Sequence, residues 1–138
     1  MELRDNLAYR FPVSVKGVVL RDSRVILLRN ARDEWELPGG KLEPGEDPEA
    51  SVRREILEEL GLAVQPDRLL DTWVYDIDRT VHVLIVTYGC RELSRQTPRL
   101  SDEHQELRWF DLGDVETLNM PGGYKRSIAN WAATTQFH

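Results

Sequence analysis

Residues 40–62 read GKLEPGEDPEASVRREILEELGL, and this stretch carries the strongest local signals in a chain of 138 residues. Asp47 is a good N-cap residue, and Pro48 fits the first helical position, where a missing N–H costs nothing. Gly61 suits the left-handed conformation that commonly ends a helix. We therefore predict a helix that begins after Asp47 and ends at Gly61.

One side of the predicted helix is acidic. Glu55, Glu58 and Glu59 are spaced i, i+3 and i+4, so their side chains fall within an arc of about 100°. Like charges at this spacing repel by about 0.2–0.5 kcal/mol per pair, and by more where water is excluded. A divalent cation reverses that sign, and Mg²⁺ usually takes carboxylate oxygens together with water and substrate phosphates. The pattern indicates either a metal site or a solvated acidic face.

The sequence around the acidic arc predicts a cleft beside it. Val52, Ile56 and Leu60 form an apolar stripe that can anchor one edge of the helix in a core. Upstream, residues 38–40 (PGG) and 44–45 (PG) predict tight turns without bulky side chains. At such turns the backbone can approach a ligand closely and offer carbonyl oxygens or N–H groups.

Residues 40–62 also resemble the Nudix box, Gly-x5-Glu-x7-Arg-Glu-U-x-Glu-Glu-x-Gly-U, in which U is aliphatic. Every fixed position of that pattern is filled, by Gly40, Glu46, Arg54, Glu55, Ile56, Glu58, Glu59, Gly61 and Leu62. A match of this length without departures is a specific signal. The resemblance implies a single Nudix domain over residues 1–138. It also implies the Nudix fold, an α/β/α sandwich in which helices flank a mixed β-sheet.

The resemblance assigns roles to residues of the box. It implies that the metal-binding and catalytic carboxylates are Glu55, Glu58 and Glu59. A backbone carbonyl of Gly39 or Gly40 would add a metal ligand. Glu46 would form a structural salt bridge with Arg54 that holds the loop onto the helix. The implied cofactor is Mg²⁺, for which Mn²⁺ can substitute.

The family hydrolyses a nucleoside diphosphate that is linked to another moiety. Because a pyrophosphate is strongly anionic, an attacking nucleophile is repelled unless cations neutralise the phosphates. The resemblance therefore implies a small nucleotide substrate and an enzyme that hydrolyses acid anhydrides. The alternative is a module that binds nucleotides without cleaving them, although such proteins typically lack box glutamates and this chain lacks none.

Residues 101–110 (SDEHQELRWF) resemble the family segment in which a loop glutamate precedes a tryptophan-bearing strand. Such a glutamate can be a further metal ligand or a general base. Glu103 is the first candidate for this catalytic role and Glu106 the second, and the alternative is that both are solvated charges. His104 is a weaker candidate for the base, because a lone loop histidine is more often unremarkable. His82 alternates with valines in a strand and is interpreted as structural.

Three basic residues are candidates for binding substrate phosphates, namely Arg29, Lys41 and Arg79. The turn with Arg79 resembles an arginine-bearing turn near the substrate in MutT-type triphosphatases. The alternative is that all three face solvent. Four aromatic residues could stack on a base, although core packing is the simpler interpretation: Trp35, Trp73, Tyr75 and Trp109.

Composition limits the class of protein. The net charge of −6 argues against a surface for nucleic acid polymers, which need a basic stripe. Cys90 is the only cysteine, so an internal disulfide is excluded. The first residues lack the core of a signal peptide, and the apolar runs are too short to span a bilayer. We expect a cytoplasmic protein without a membrane partner, either a monomer or a homodimer.

Strand-like segments outnumber helical ones along the chain. We predict strands over residues 11–20, 25–28, 69–75, 81–89 and 107–110. Residues 62–66 are predicted to be a loop, and residues 91–103 a mobile loop. Tyr124, Ile128 and Trp131 keep helical spacing and predict a C-terminal helix. The pattern indicates an α+β fold with a mixed sheet covered by helices.

The short chain and its segment GGKLEPGE (residues 39–46) are similar to those of the MutT-type nucleoside triphosphate pyrophosphohydrolases. Asn119 precedes Pro121 here, whereas in MutT itself the base-reading asparagine follows a proline pair. ADP-ribose hydrolases of the family usually carry a proline about fifteen residues past the box, and residues 76–79 contain none. Nucleoside triphosphates are therefore the leading substrates. Other nucleoside-diphosphate derivatives, such as ADP-ribose or a nucleotide sugar, are the alternative.

Overall fold

The structure is a computed structural model that describes residues 8–135. Residues 1–7, which include the start that lacks a signal-peptide core, and residues 136–138 lie outside this range. Within it, the chain forms seven strands: β1 Val13–Arg21, β2 Arg24–Arg29, β3 Trp35–Glu36, β4 Gly39–Lys41, β5 Val64–Asp76, β6 His82–Glu92 and β7 Glu106–Asp111. The helices are α1 Pro48–Leu60, a 3₁₀ helix Leu112–Thr117 and α2 Gly122–Thr135.

The strands form one mixed sheet. Its main order is β3-β2-β1-β6-β5, with β4 also paired to β1 and β7 to β2. The central strands β1 and β6 run parallel over seven residue pairs, whereas the other pairs are antiparallel. This arrangement confirms the predicted mixed sheet.

Helices α1 and α2 cover opposite faces of the sheet, because successive side chains of a strand point to opposite sides. Val15 and Val19 of β1 pack in one core together with the apolar stripe of α1. Val18 of the same strand packs in a second core with Trp131 of α2. The predicted α+β fold with helices on a mixed sheet is therefore confirmed.

Two glycines let the helices approach the sheet closely. A Cβ atom on Gly17 of β1 would lie 2.7 Å from Ile56 Cδ1 of α1. A Cβ atom on Gly89 of β6 would lie 2.3 Å from the indole ring of Trp131 in α2. The distance from each helix to the central strands therefore depends on the absence of one methyl group.

Helix α1 begins and ends where its sequence predicts. The side chain of Asp47 accepts a hydrogen bond from the Ala50 N–H at 2.8 Å, and Pro48 follows at the first helical position. Gly61 has φ 72° and donates its N–H to the Leu57 carbonyl at 2.9 Å. Both caps are local, which is why the sequence alone locates this helix.

The strand prediction was wrong at three places. Strand β5 begins at Val64 instead of after Pro66, because Pro66 lies on an edge strand at a register irregularity, where a missing N–H is tolerated. Strand β6 continues to Glu92, so the predicted loop over 91–103 starts later. Residues 39–41 are not only a turn but also strand β4, which pairs with β1. In residues 8–135 no helix is long and apolar enough to cross a membrane.

Candidate active site

Acidic side chains from α1 and from the loop before β7 line one cavity of about 250 Å³. Its lining consists of Glu55, Glu58, Glu59, Ser101, Asp102 and Glu103. The structure therefore places the three glutamates of the box in the same cavity as Glu103, which lies more than forty residues further along the chain. We call this set of residues the acidic cavity.

The backbone of Gly40 lies directly against the carboxylate of Glu55. A Cβ atom on Gly40 would come within 2.4 Å of the Glu55 carboxyl carbon. Strand β4 holds Gly40 opposite Val15 of β1, so this backbone is fixed by the central sheet. Only a glycine leaves room for the Glu55 carboxylate at this point.

Glu59 is the most deeply buried carboxylate of the acidic cavity, with 5% of its surface exposed. Its Oε1 accepts a hydrogen bond from the Gly39 N–H at 3.1 Å. Burial raises the pKa of Glu59 to about 7. The charge of Lys16 and the hydrogen bond from the Gly39 N–H both lower this pKa, but by less than burial raises it. Burial likewise raises the pKa of Glu55.

Arg54 connects the box loop to the acidic helix face. Its guanidinium lies 2.7 Å and 2.9 Å from the two carboxylate oxygens of Glu46. Its Nη1 also lies 3.2 Å from Glu55 and 3.1 Å from Glu58. The pairing of Glu46 with Arg54 has the geometry that the family resemblance implies. The further contacts of Arg54 with two cavity glutamates were not part of that prediction.

The donor set of the acidic cavity fits a hard divalent cation. Three carboxylates converge on one space, and the Glu55 carboxylate occupies the position that a Cβ of Gly40 would fill. Within residues 8–135 the side chains do not already form a group of three His, Cys, Asp or Glu ligands. Arg54 engages Glu55 and Glu58, and Glu59 is turned towards the Gly39 N–H. A cation here would replace Arg54 beside Glu55 and Glu58, whereas Glu59 can keep the Gly39 N–H, because each carboxylate oxygen has a second lone pair.

A buried charged network adjoins the acidic cavity. His104 Nε2 lies 3.0 Å from Oε1 of Glu36 in β3. Its other ring nitrogen, Nδ1, lies 3.3 Å from Oε2 of Glu59, although without the angles of a hydrogen bond. Lys16 of β1 lies 3.6 Å from the second oxygen of Glu36. We call Lys16, Glu36, His104 and Glu59 the buried charge network.

Charges within the buried charge network govern the pKa values of its members. Burial would raise the pKa of Glu36, but Lys16 and His104 outweigh burial and lower it to about 2. The hydrogen bond to Glu36 raises the pKa of His104 against the effect of burial. The pKa of Lys16 is also raised, because Tyr124 and the nearby carboxylates outweigh its desolvation. Glu36 is therefore a carboxylate at neutral pH, held between Lys16 and His104.

Sequence reasoning missed Lys16 and Glu36 and gave little weight to His104. A signal for Lys16 was present, because a lysine inside the apolar strand VSVKGVVL of β1 is unusual for a buried position. Glu36 lies just before the glycine turn, and nothing local distinguishes it. The partners of His104 are distant in the sequence, and Glu36 lies 68 positions before it.

The two candidates for the loop glutamate lie in different surroundings. Glu103 lines the acidic cavity. Glu106 belongs to β7 and pairs with Arg29 at 3.2 Å and with Arg108 at 2.6 Å. The geometry therefore favours Glu103 for a role at the cavity.

The three basic candidates lie outside the set of residues that line the acidic cavity. Arg29 in β2 is engaged by Asp33 at 2.9 Å and by Glu106. Lys41 ends β4 and is exposed, and Arg79 is exposed in the turn between β5 and β6. Their assignment to substrate phosphates stays a prediction.

The aromatic candidates pack against the hydrophobic cores. Trp35 contacts Phe110 edge to face with ring centroids 4.7 Å apart, and Trp73 contacts Tyr124 at 5.0 Å. Tyr75 also packs against the core beneath α2, and Trp109 against the core beneath α1. These contacts agree with the simpler interpretation as core residues.

Comparisons with known proteins extend beyond the box. The model of the NUDIX domain matches residues 10–131. A MutT-like protein of Streptomyces ambofaciens is 40% identical over 105 residues, which cover 75% of this chain and 66% of that protein. The ADP-ribose pyrophosphatase of Methanocaldococcus jannaschii is 29% identical over 123 residues, which cover 85% of this chain and 72% of that protein.

A solved structure shows the same likeness in three dimensions. The crystal structure of a MutT NUDIX hydrolase from Burkholderia pseudomallei superposes with a TM-score of 0.74 and 28% identity. The superposition covers 88% of this chain and 98% of that one. The family match covers residues 10–131, from before β1 to within α2. The likeness therefore extends over the whole domain and is not limited to a short motif. The chain therefore belongs to the Nudix family, whose members are pyrophosphohydrolases.

Proposed function

We propose that the protein is a Mg²⁺-dependent nucleoside triphosphate pyrophosphohydrolase that releases a nucleoside monophosphate and pyrophosphate, with Mn²⁺ as a substitute ion. The observation that carries this proposal is the acidic cavity, in which Glu55, Glu58 and Glu59 of the box face Glu103 of a distant loop. Nudix hydrolases generally use divalent metal ions and act on small nucleotides. The relative from Streptomyces ambofaciens is named a MutT-like protein, which agrees with the resemblance to MutT-type enzymes on which the triphosphate class rests.

The chain's own groups divide the work in this proposal. When bound, a divalent cation neutralises the phosphates and activates water for in-line attack on phosphorus. Glu55, Glu58 and Glu59 would hold the ion, and a carbonyl of Gly39 or Gly40 would supply a further oxygen. Glu103 faces the same space and either adds a ligand or accepts the proton of the attacking water.

Glu46 and Arg54 act without touching substrate. The guanidinium of Arg54 holds Glu46 at 2.7 Å, and Glu46 in turn accepts the Glu43 N–H at 3.3 Å. These bonds keep the loop between β4 and α1 on the helix. The loop would therefore stay in place if a cation took the position of Arg54 beside Glu55 and Glu58. Arg29, Lys41 and Arg79 stay as candidates for the outer phosphates.

The second candidate function is the hydrolysis of a nucleoside-diphosphate derivative such as ADP-ribose. It is supported by the ADP-ribose pyrophosphatase relative, which covers 85% of this chain. The same cavity could hold the ion for either class, because both substrates carry a pyrophosphate. The two classes differ in their products, which are pyrophosphate and a nucleoside monophosphate for the first, and AMP and ribose 5-phosphate for the second.

The test is a panel of nucleoside triphosphates, deoxynucleoside triphosphates, ADP-ribose and nucleotide sugars with Mg²⁺ or Mn²⁺, at neutral and alkaline pH. Products are separated by chromatography. We expect a nucleoside monophosphate and pyrophosphate from at least one triphosphate. Release of AMP and ribose 5-phosphate, with the triphosphates inert, would establish the second class instead.

Variants at the box test the role of the cavity. We expect Glu58→Gln and Glu59→Gln to lose about 100-fold or more in kcat/KM while the circular dichroism spectrum is retained, because each removes a charged ligand. Glu116→Gln is the matched control, since Glu116 is exposed on the 3₁₀ helix. Full activity in either box variant would contradict the assignment.

A further inference from the structure

We propose that His104 is a positioning residue, which clamps the loop bearing Ser101, Asp102 and Glu103 over the acidic cavity by bridging Glu36 and Glu59. The inference rests on the proposed function, because Glu59 and Glu103 act on the ion there. No role of this kind was expected from the sequence, in which His104 was at most a weak candidate for a base.

The bridge joins three separate parts of the fold. His104 lies in the loop before β7, Glu36 in β3 and Glu59 in α1. The ring nitrogens lie 3.0 Å from Glu36 and 3.3 Å from Glu59. The three side chains are 11%, 13% and 4% exposed, so water offers little competition for these contacts. Because carboxylates face both nitrogens, the position of the ring is determined from two sides.

The far end of the bridge is attached to the central strand β1 of the sheet. Glu36 lies 3.6 Å from Lys16, and Lys16 is a buried residue of the central strand β1. In a low-dielectric interior such a pair resists separation, since an unpaired buried charge is costly. The loop is thus attached through His104 to the sheet as well as to α1.

The cavity-lining part of the loop lies between two backbone hydrogen bonds. The Arg99 N–H donates to the Leu60 carbonyl at 2.9 Å, and the Gln105 N–H donates to the Arg29 carbonyl at 3.2 Å. Ser101, Asp102 and Glu103 lie between these points. The ring of His104, which is only 11% exposed, adds a side-chain anchor immediately after Glu103, and its loss would release that segment.

His104 acts through its neighbours in this arrangement. Glu103 lines the acidic cavity, whereas the ring of His104 is inserted between Glu36 and Glu59. The ring restrains the Glu59 carboxylate on one side, while the Gly39 N–H restrains it on the other at 3.1 Å. It is therefore a residue that orients a ligand, and outer groups of this kind typically affect metal affinity or activity by about 10- to 100-fold.

The first test measures the loop in the metal-free protein by hydrogen–deuterium exchange. We expect His104→Ala to speed exchange at the amides of residues 99 and 105, whose backbone hydrogen bonds hold the two ends of the loop, by roughly tenfold, as local opening becomes easier. Gln105→Ala is the matched control, because its side chain is exposed and its backbone bond is retained. Unchanged exchange in His104→Ala would overturn the clamp.

The second test measures Mn²⁺ binding by electron paramagnetic resonance without nucleotide, followed by steady-state kinetics. We expect His104→Ala to weaken Mn²⁺ binding by about 10- to 100-fold and to lower kcat at saturating metal. KM for the nucleotide should change much less, because His104 does not contact the substrate in this proposal. Wild-type Mn²⁺ affinity in this variant, with wild-type kcat, would contradict the proposal.

A further pair of variants guards against a folding defect. If circular dichroism shows that His104→Ala is unfolded, His104→Gln replaces it in both tests. We expect the same direction of change in this variant. Wild-type exchange rates and wild-type Mn²⁺ affinity in His104→Gln would contradict the proposal. Combining Glu36→Gln with the His104 variant should add little to the loss in either single variant, since both break one bridge. Additive losses would show that no bridge exists. If the wild type cleaves no nucleotide, the proposed function fails, but the exchange test of the clamp stands.

Discussion

Glu36 is a carboxylate that the fold makes unusually acidic. It is mostly buried, and burial alone would favour its neutral form. Lys16 at 3.6 Å and His104 at 3.0 Å reverse this preference and lower its pKa to about 2. A group whose pKa is lower in the folded state stabilises the protein above its unfolded pKa, and this contribution is lost as the pH falls towards the folded pKa.

Glu36→Gln should therefore destabilise the metal-free protein by roughly 3 kcal/mol at pH 7, the free energy that corresponds to the lowered pKa. The gap between wild type and variant should narrow as the pH falls from 4.5 towards 2, the two pKa values of Glu36. Urea unfolding at a series of pH values measures this gap. A gap that stays constant across the acid range would show that Glu36 is not paired as described.

Gly40 offers a second prediction at the scale of one atom. In Gly40→Ala the new methyl group would lie 2.4 Å from the Glu55 carboxylate and displace it. We expect kcat/KM to fall by about 10- to 100-fold, as for other changes that disturb the orientation of metal ligands. Gly113→Ala is the control, because a Cβ there meets nothing within 4 Å. Equal activity of the two variants in the hydrolysis assay would separate Gly40 from the site.

Single residues also mark the limit of what sequence predicts about this site. The box glutamates and Glu103 were named from their pattern and from family resemblance, and the structure places them in one cavity. The bridge from Glu36 through His104 to Glu59 could not be predicted. It joins side chains from three segments that are far apart in the sequence, and the spacing of residues within each segment does not indicate that they will be in contact.

At the scale of elements, the ends of helix α1 were predicted correctly from the sequence, whereas the start of strand β5 was not. The caps of α1 use Asp47 and Gly61, whose signals lie within the helix and its ends. The start of β5 depends instead on pairing with β6, in which Pro66 lies opposite Cys90. Because β5 is an edge strand, it tolerates the proline that led the prediction to a loop.

Helix α2 supplies a prediction about packing between elements. In Gly123→Ala the new methyl group would come within 2.2 Å of the indole ring of Trp73. Such overpacking against a rigid ring costs about 1–3 kcal/mol. Gly122→Ala is the matched control, since its nearest neighbour is the flexible end of Arg126 at 3.8 Å. Thermal and urea unfolding of the two variants should show a loss of stability for Gly123→Ala only, and equal stability would disprove the contact.

At the scale of the whole molecule, the fold class followed from the sequence but the layout of the site did not. The order of strand and helix patterns predicted a mixed sheet with flanking helices, and the topology agrees. The acidic cavity is assembled from α1 and from a loop that is joined to it by Arg99 and Leu60. Those contacts depend on the path of the chain across the sheet, which alternating hydrophobicity does not specify.

Metal binding should be visible in the stability of the whole domain. A ligand that binds only the folded state at 100 times its Kd adds about 2.7 kcal/mol, which corresponds to a rise in Tm of roughly 10 °C for a domain of this size. We expect Mg²⁺ or Mn²⁺ to raise the Tm of the wild type and EDTA to reverse the rise. Glu59→Gln should show a much smaller rise, whereas Glu116→Gln should show the full one. An equal rise in Glu59→Gln would argue against binding in the acidic cavity.

Gly17 is not among the residues that line the acidic cavity, yet it sets how closely α1 packs on the sheet. A side chain there would press on Ile56, which is adjacent to Glu55 in the same helix. Lifting the helix by even a fraction of an ångström would carry the whole row of carboxylates away from the backbone of Gly40. Any redesign of this scaffold for another substrate must therefore keep this buried glycine, although it lies outside the acidic cavity.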